Sequence, residues 1–508
     1  MNDSTSEVRE HVDVAIVGSG FGGLAAAIRL KQEGHDDFVV FERDDAVGGT
    51  WHVNTYPGAQ CDIPSALYSF SFAPNPDWTR LYPLQPEIES YLNVCTDTFD
   101  VRRHIRFGHD VLDAAWDEIA QVWAITTSRG HWTARVLIGA LGPFSEPARP
   151  DIAGLESFAG NVFHSADWDH EQDLSGRRVA VIGTGASAVQ FVPQIAPVVD
   201  HLTLFQRTPT WIMPHPDRPV GRRVRALFRR VPRTQRALRK QFDLVQEAMV
   251  PGLVRWPWLL GPAAALGRAH LRRQVSDSRL RAKLTPDYAF GCKRPTFSNT
   301  FYPALTRPNV DVETAGIVAV RPQGIETTDG VVHELDTIVL GTGFTVARHS
   351  GFQRIRGRRG VSLAETWPRG EMASYRGTAI HGFPNFFMIL GPNSVVYTSQ
   401  VVTIEAQVEH ILAALRAMSS SRSAVIEVNA GAQREFCDTV DRKLEGSVWN
   451  SGGCSSYYLS PSGRNVTFWP GSVRSFTKAM SRIERTHYTF RPAIVKTDDT
   501  TESTVVAP

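Results

Sequence analysis

A chain of 508 residues is too long for one ordinary domain, and 42% hydrophobic with 21% charged residues is a globular composition with ample core. A formal net charge of +2 argues against nucleic acid as a partner. Five scattered cysteines without a CxxC pair (Cys61, Cys95, Cys292, Cys437 and Cys454) argue against a disulfide framework, a zinc ribbon and a dithiol redox motif.

The polar opening, MNDSTSEVRE, has no apolar signal core, and no apolar run in the chain is long enough to span a membrane. A soluble, reduced, cytoplasmic protein is expected, with residues 1–10 a disordered tail. The first element, VDVAIVGSGFGGLAAAIRLKQEG at 12–34, runs from an apolar strand through Gly18, Gly20 and Gly23 into a small-residue helix. The first glycine permits a tight turn, the second lets a diphosphate approach the backbone, and the third lets helix pack on strand. The helix N-terminus then faces the phosphates. Glu42 ends the next strand, DFVVFE, 24 residues after Gly18, where a carboxylate takes a ribose diol. FAD fits this site; a glycine turn beside a surface glutamate is the plainer alternative.

At 177–196, RRVAVIGTGASAVQFVPQIA repeats strand, turn and helix with Gly183, Gly185 and Ala188, and with Thr184 and Ser187 in the turn. The residue 24 positions beyond Gly183 is now Arg207, ending LTLFQR. A guanidinium pairs with a ribose 2′-phosphate that a carboxylate would repel, so NADPH is expected. An NADH site with Arg207 merely on the surface is the alternative.

Residues 215–290 interrupt this pattern. GRRVRALFRRVPRTQRALRK at 221–240 holds nine Arg or Lys among apolar residues and predicts a helical insertion. Its charges read most simply as a solvated face, with peripheral contact to an anionic membrane as the alternative. MVPGLVRWPWLLGPAAAL at 249–266, apolar but broken by three prolines, reads as core or substrate-tunnel lining. A third apolar strand entering a glycine turn, ELDTIVLGTGF, follows at 334–344, and residues 491–508 read as a second tail. The fold class is therefore α/β with two Rossmann-like dinucleotide-binding domains. The NADPH domain, 151–335 with its helical insertion, is set into an FAD domain built from 11–150 and 336–490. Two dinucleotides in one chain point to hydride transfer between them, hence a flavin oxidoreductase.

FAGNVFHSADWD at 158–169 sets Phe158, Gly160, His164, Trp168 and Asp169 in FxGxxxHxxxWD spacing just ahead of the second glycine turn. This resembles the signature of type I Baeyer–Villiger monooxygenases; related flavin-containing monooxygenases share FxGxxxH but usually lack the Trp. GGTWHVNTYPGAQCDIPS at 48–65, CKRP at 292–295, LGTGF at 340–344 and LGPNS at 390–394 resemble further family segments, in family order. VWNSGGCSSYYLSPSGRNVTFWPG at 448–471 resembles the compact members, and the likeness runs over roughly residues 10–480. Gln60 departs from the pattern, since members often carry Arg there.

The resemblance implies FAD and NADPH as cofactors, and dioxygen and a small-molecule ketone as substrates. It implies oxygen insertion beside the carbonyl, through a flavin peroxide, to give an ester or lactone. Arg294 is the implied cation for the peroxide and the oxyanion, with Asp62 holding it; a surface cation and an Asx turn are the plainer readings of each. Lys293 is expected to help Arg207 at the 2′-phosphate, Thr208 and Ser187 to border the nicotinamide cofactor, and Thr50 and Trp51 to line the flavin. His164 and Trp168 are expected to couple the domains, His164 as a hinge rather than an acid–base catalyst; no metal site is expected. Apolar residues in 244–266 point to a lipophilic ketone. Oxygenation of amine nitrogen or sulfide sulfur with the same cofactors is the alternative, because a soft nucleophile needs no oxyanion stabilisation.

Overall fold

The computed structural model describes residues 10–494. The early strands are β1 (Glu10–Val17), β2 (Phe38–Phe41), β3 (Ile105–Arg106), β4 (Val111–Asp117), β5 (Val122–Thr127) and β6 (Gly130–Gly139). β1 lies between β6 and β2, parallel to both, and β3 extends the parallel set beyond β2. β4 and β5 add an antiparallel meander along the first half of β6. Two late strands, Ile355–Arg356 and Phe386–Met388, return to this sheet against β4 and β6.

The apolar runs of β1 and β2 form strands because both sheet faces are covered. Helix α1 (Phe21–Gln32) and the long helix Gln400–Ser420 pack together over one face, burying Ile16, Leu24 and Ile28 completely. Each such side chain contributes about 1.5–3 kcal/mol on leaving water.

Between β6 and those late strands the chain builds a second parallel sheet. Its strands are β7 (Asn161–His164), β8 (Arg178–Ile182), β9 (His201–Phe205), β10 (Val310–Glu313) and β11 (Thr337–Leu340). Their order is β10-β9-β8-β11-β7, and every neighbouring pair is parallel. Helix α2 (Ala186–Ile195) follows β8 as α1 follows β1. The fold is thus two Rossmann-like units with the second inserted into the first. A short parallel pairing of Ile212–Met213 with Thr296–Phe297 closes off a helical segment that includes α3 (Arg222–Arg230) and α4 (Pro232–Glu247).

Three expectations need correction. Arg491 is not tail: it ends the strand Tyr488–Arg491, paired antiparallel with Val425–Val428, and Gln121 holds Pro492 and Ile494 beyond it. Glu10 likewise opens β1, while the rest of both expected tails, 1–9 and 495–508, lies outside the described residues. The glycine turn after β11 leads into an extended crossover. The 249–266 stretch puts Leu253 and Leu260 in the core but exposes Trp256, Trp258 and Leu259, and it does not line the central cavity. Finally, Cys292 and Cys454 are joined by a disulfide across 162 residues, so the protein is not fully reduced. Local spacing reveals CxxC pairs but not partners brought together by the fold. Cys61, Cys95 and Cys437 are free and buried.

Candidate active site

The two glycine turns open into one cavity of about 1470 Å³. Gly18 has φ +98°, and a Cβ there would lie 2.6 Å from the Ala140 carbonyl oxygen, so the turn accepts only glycine. Gly23 packs α1 onto that turn, its missing Cβ falling 1.8 Å from the Gly18 carbonyl oxygen. Gly183 repeats the geometry with φ +111° against the Gly341 carbonyl, whereas Gly185 has nothing within 3.9 Å of a Cβ. A diphosphate can therefore lie against the backbone at the start of each helix. Both cradles fit a dinucleotide.

Around the first cradle, Glu42 is buried at the end of β2. It accepts hydrogen bonds from Ser19 N–H (2.8 Å), Ser19 O–H (2.7 Å) and Asp44 N–H (3.0 Å), which fix its carboxylate beside the turn. The Gly48–Gly49 turn packs on it, Gly48 N–H donating to the Ser19 carbonyl. Thr50 and Trp51 follow in a short helix, with Trp51 Nε1–H donating to the Tyr68 hydroxyl at 2.9 Å. Around the second cradle, Thr184 O–H donates to the Thr208 carbonyl at 2.9 Å. Arg207 is exposed to the cavity mouth and forms no ion pair among the described residues. Lys293 stands near it: burial first, then the Arg207 charge, lowers the Lys293 ammonium below its ordinary pKa. Two cations side by side could hold an anion, with the Asp287 charge acting on Lys293 in the opposite sense.

Arg294 and Asp62 meet in the same cavity. Arg294 Nε donates to Asp62 Oδ2 at 2.7 Å and Nη2 donates to Oδ1 at 3.1 Å, a bidentate pair. Burial opposes the guanidinium charge, but the Asp62 charge and hydrogen bonds outweigh it and hold the pKa above its usual value. The backbone N–H of Arg294 donates to the Tyr458 hydroxyl at 3.3 Å, and its guanidinium carbon lies 6.0 Å from the Tyr397 ring. Cys292, two residues earlier, is tied to Cys454 in the loop that also carries Tyr457 and Tyr458.

Gly18, Gly20, Glu42, Thr50, Trp51, Asp62, Gly183, Thr184, Gly185, Ser187, Arg207, Thr208, Lys293 and Arg294 all border the cavity. Gly23, Ala188, His164 and Trp168 stand behind it. His164 is buried on edge strand β7, with Nδ1 accepting from Ala166 N–H at 3.0 Å and its ring 5.9 Å from Phe344 in the crossover. Burial pushes its pKa down, with the Gly343 backbone acting in the opposite sense. Trp168 packs edge-on to Phe163 and against Phe191 of α2, each centroid 5.2 Å away.

Sequence reasoning missed the joint next to Trp168. Tyr56, from the loop that carries Asp62, packs on Phe191 and donates its hydroxyl proton to Gln190 Oε1 at 2.9 Å. Gln190 and Gln60 then bond reciprocally, Gln60 N–H to Oε1 (3.2 Å) and Gln190 Nε2–H to the Gln60 carbonyl (2.8 Å). Gln60, noted for its departure from the family pattern, also donates to Asp217 at 2.9 Å. That departure was the signal pointing to the joint. Tyr397 and Tyr458 gave no signal in spacing.

A family profile described as pyridine nucleotide-disulphide oxidoreductase matches residues 15–243. The chain is 47% identical over 491 residues to a Baeyer-Villiger monooxygenase of Streptomyces coelicolor, covering 96% of this chain and 94% of that protein. It is 45% identical over 481 residues to a Baeyer-Villiger monooxygenase of Pseudomonas aeruginosa, covering 94% and 91%. The chain belongs to the Baeyer–Villiger monooxygenases. Among solved structures, this monooxygenase superposes on closed cyclohexanone monooxygenase with a TM-score of 0.85 at 30% identity, over 96% of this chain and 100% of that one. It superposes on oxidised steroid monooxygenase bound to NADP with a TM-score of 0.84 at 32% identity, over 95% and 99%. It is accordingly an enzyme that inserts one oxygen atom beside a ketone carbonyl, and the heteroatom alternative is not favoured.

Proposed function

We propose that Arg294 and Asp62 carry the oxygen insertion, and that the ketone they act on is lipophilic. The enzyme uses FAD at the first glycine turn and NADPH at the second, and these groups supply the reducing equivalents and the activated oxygen when bound. The first turn and Glu42 would hold the flavin dinucleotide; the second turn, Arg207 and Lys293 would hold the nicotinamide dinucleotide through its 2′-phosphate. Arg294 faces the ketone oxygen as negative charge develops on it. A guanidinium keeps its charge in a dry site, which suits it to that role. Asp62 orients the fork from the other side and keeps the net charge of the pair low. The observation that carries this reading is the bidentate Arg294–Asp62 pair, set in the cavity shared by both glycine turns.

The lipophilic ketone draws support from the cavity wall, where Phe144, Phe344, Tyr397, Trp449 and Tyr458 gather near Arg294 and the crossover. We place the protein in the cytoplasm, supported by its need for NADPH; no described helix is long and apolar enough to cross a membrane. His164 and Trp168 act as coupling residues, His164 against the crossover and Trp168 against α2. The decisive experiment is NADPH consumption over linear, cyclic, aromatic and steroidal ketones with product identification. Esters or lactones from the larger apolar ketones are expected. Esters formed only from small hydrophilic ketones would overturn the lipophilic assignment.

A further inference from the structure

The near-neutral chain hides a large separation of charge. Residues 221–283 hold 16 Lys or Arg against three Asp or Glu, while the rest of the chain holds 38 against 49. One helical segment is therefore +13 and the remainder −11. Two of its three acids lie on α4 and do not offset its basic surface, because they face the body of the protein, while the third, Asp277, caps a later helix. Asp243 accepts from the Thr398 hydroxyl at 3.2 Å, and Glu247 accepts from Val473 N–H at 2.9 Å. Gln235 and Arg239 complete that inner face, donating to the backbone carbonyls of Asn75 (2.5 Å) and Ser69 (2.6 Å).

The outer face of the same helices combines charge with aliphatic side chains. On α3 and its C-cap, Val224, Leu227 and Val231 are 42–46% exposed at i, i+3 and i+7, one stripe along the helix. On α4 and its C-cap, Ala237, Gln241, Leu244, Val245 and Ala248 line a shallow apolar groove of about 430 Å³ with the stem of Lys240. Leu244 and Val245 are 49% and 61% exposed. Arg222, Arg223, Arg230, Arg233, Arg236 and Lys240 are exposed around these stripes and make no hydrogen bond or ion pair among the described residues. The same segment goes on to expose Trp256 and Trp258.

We propose that α3 and α4 are a docking surface for an anionic lipid membrane. Arginines flanking an aliphatic stripe match the boundary between phosphate headgroups and acyl chains, where charge stays with the phosphates while Leu and Val enter the apolar layer. A nucleic acid would satisfy the arginines but leave the stripes in water. Neither helix exposes an aromatic ring on which a base could stack; Phe228 and Phe242 are half-buried. Docking would also place the active site close to the lipid. The inner face of α4 holds Thr398, the neighbour of Tyr397 in the cavity wall, so a membrane-dissolved ketone would meet the protein one helix away from its site.

Flotation of the full-length protein with vesicles tests this. Phosphatidylcholine vesicles containing phosphatidylglycerol should carry the protein upward at low salt, whereas pure phosphatidylcholine vesicles should not, and high salt should release it. Arg222→Glu, Arg223→Glu, Arg233→Glu and Arg236→Glu together should weaken vesicle binding by about a hundredfold or more. Leu244→Ser with Val245→Ser should weaken it by about tenfold. Both variants should oxidise a water-soluble ketone at the parent rate, showing that they fold. No flotation with anionic vesicles, equal flotation with neutral ones, or binding unchanged in both variants would overturn the proposal. Charge-dependent binding to duplex DNA, together with unchanged vesicle binding by the Leu244/Val245 variant, would assign the surface to nucleic acid instead.

Discussion

Arg294 and Asp62 form a two-hydrogen-bond pair across 232 residues of chain, linking the segment beside Cys292 to the loop beside the first glycine turn. Arg294→Ala should lower ester formation by about 10²–10³-fold while NADPH still reduces the bound flavin at the parent rate. Arg294→Lys should rescue little, because an ammonium lacks the planar fork that Asp62 grips. Stopped-flow reduction alongside ester quantification separates the steps. Unchanged ester yield in the alanine variant would refute the role.

The Arg207–Lys293 pair predicts a pH-dependent preference for NADPH. Lys293 is held below its ordinary pKa by burial and by Arg207, so it loses charge on raising the pH earlier than a free lysine would. The KM for NADPH should therefore rise with pH through that range, while the KM for NADH stays flat. Arg207→Ala should shift the NADPH/NADH preference by about tenfold or more toward NADH. Lys293→Arg should flatten the pH profile, since guanidinium does not titrate there.

The cysteine pairing is directly countable. Denatured, unreduced protein should show three reactive thiols, from Cys61, Cys95 and Cys437, and five after reduction. Cys454→Ser should cost up to about 5 kcal/mol of stability, measured by chemical denaturation, because the closed loop is long. Five thiols without reductant would contradict the bond.

His410 predicts acid sensitivity. Its buried ring lies between the Met480 carbonyl (Nδ1, 3.2 Å) and the Tyr488 hydroxyl (Nε2, 3.0 Å), and burial pushes its pKa down to about 4. An unfolded histidine titrates near 6.5, so in this window the unfolded chain binds the extra proton. The contribution is whole above about 6.5 and lost as pH falls toward about 4, amounting to about 3 kcal/mol. Melting temperatures across that range should fall less steeply for His410→Gln; an identical slope would exclude His410 as a cause.

Much of the fold was legible because its signals are local. A glycine turn needs its glycines within a few residues, and Glu42 and Arg207 announce themselves by a fixed distance from Gly18 and Gly183. The Arg294–Asp62 pairing was legible only through resemblance, since no spacing rule joins position 62 to position 294. What the sequence hid is long-range or shape-dependent. Cys292 meets Cys454 across 162 residues, Gln190 meets Gln60 across a joint, and Tyr458 reaches the Arg294 backbone from the last fifth of the chain. The 249–266 stretch was legible as core at Leu253 and Leu260 but not as cavity lining, for a related reason: apolar content does not say whether a side chain faces a core, a cavity or solvent.

The opposed charges of residues 221–283 and the remaining chain make the molecule a strong electric dipole despite its net +2. Torque acts on such a body before any contact forms, within roughly 10 Å of a charged surface at moderate salt. The enzyme should thus approach a polyanion helices-first rather than tumbling at random. It should also be retained on a cation exchanger at its isoelectric point near pH 8.3, where its average charge is zero.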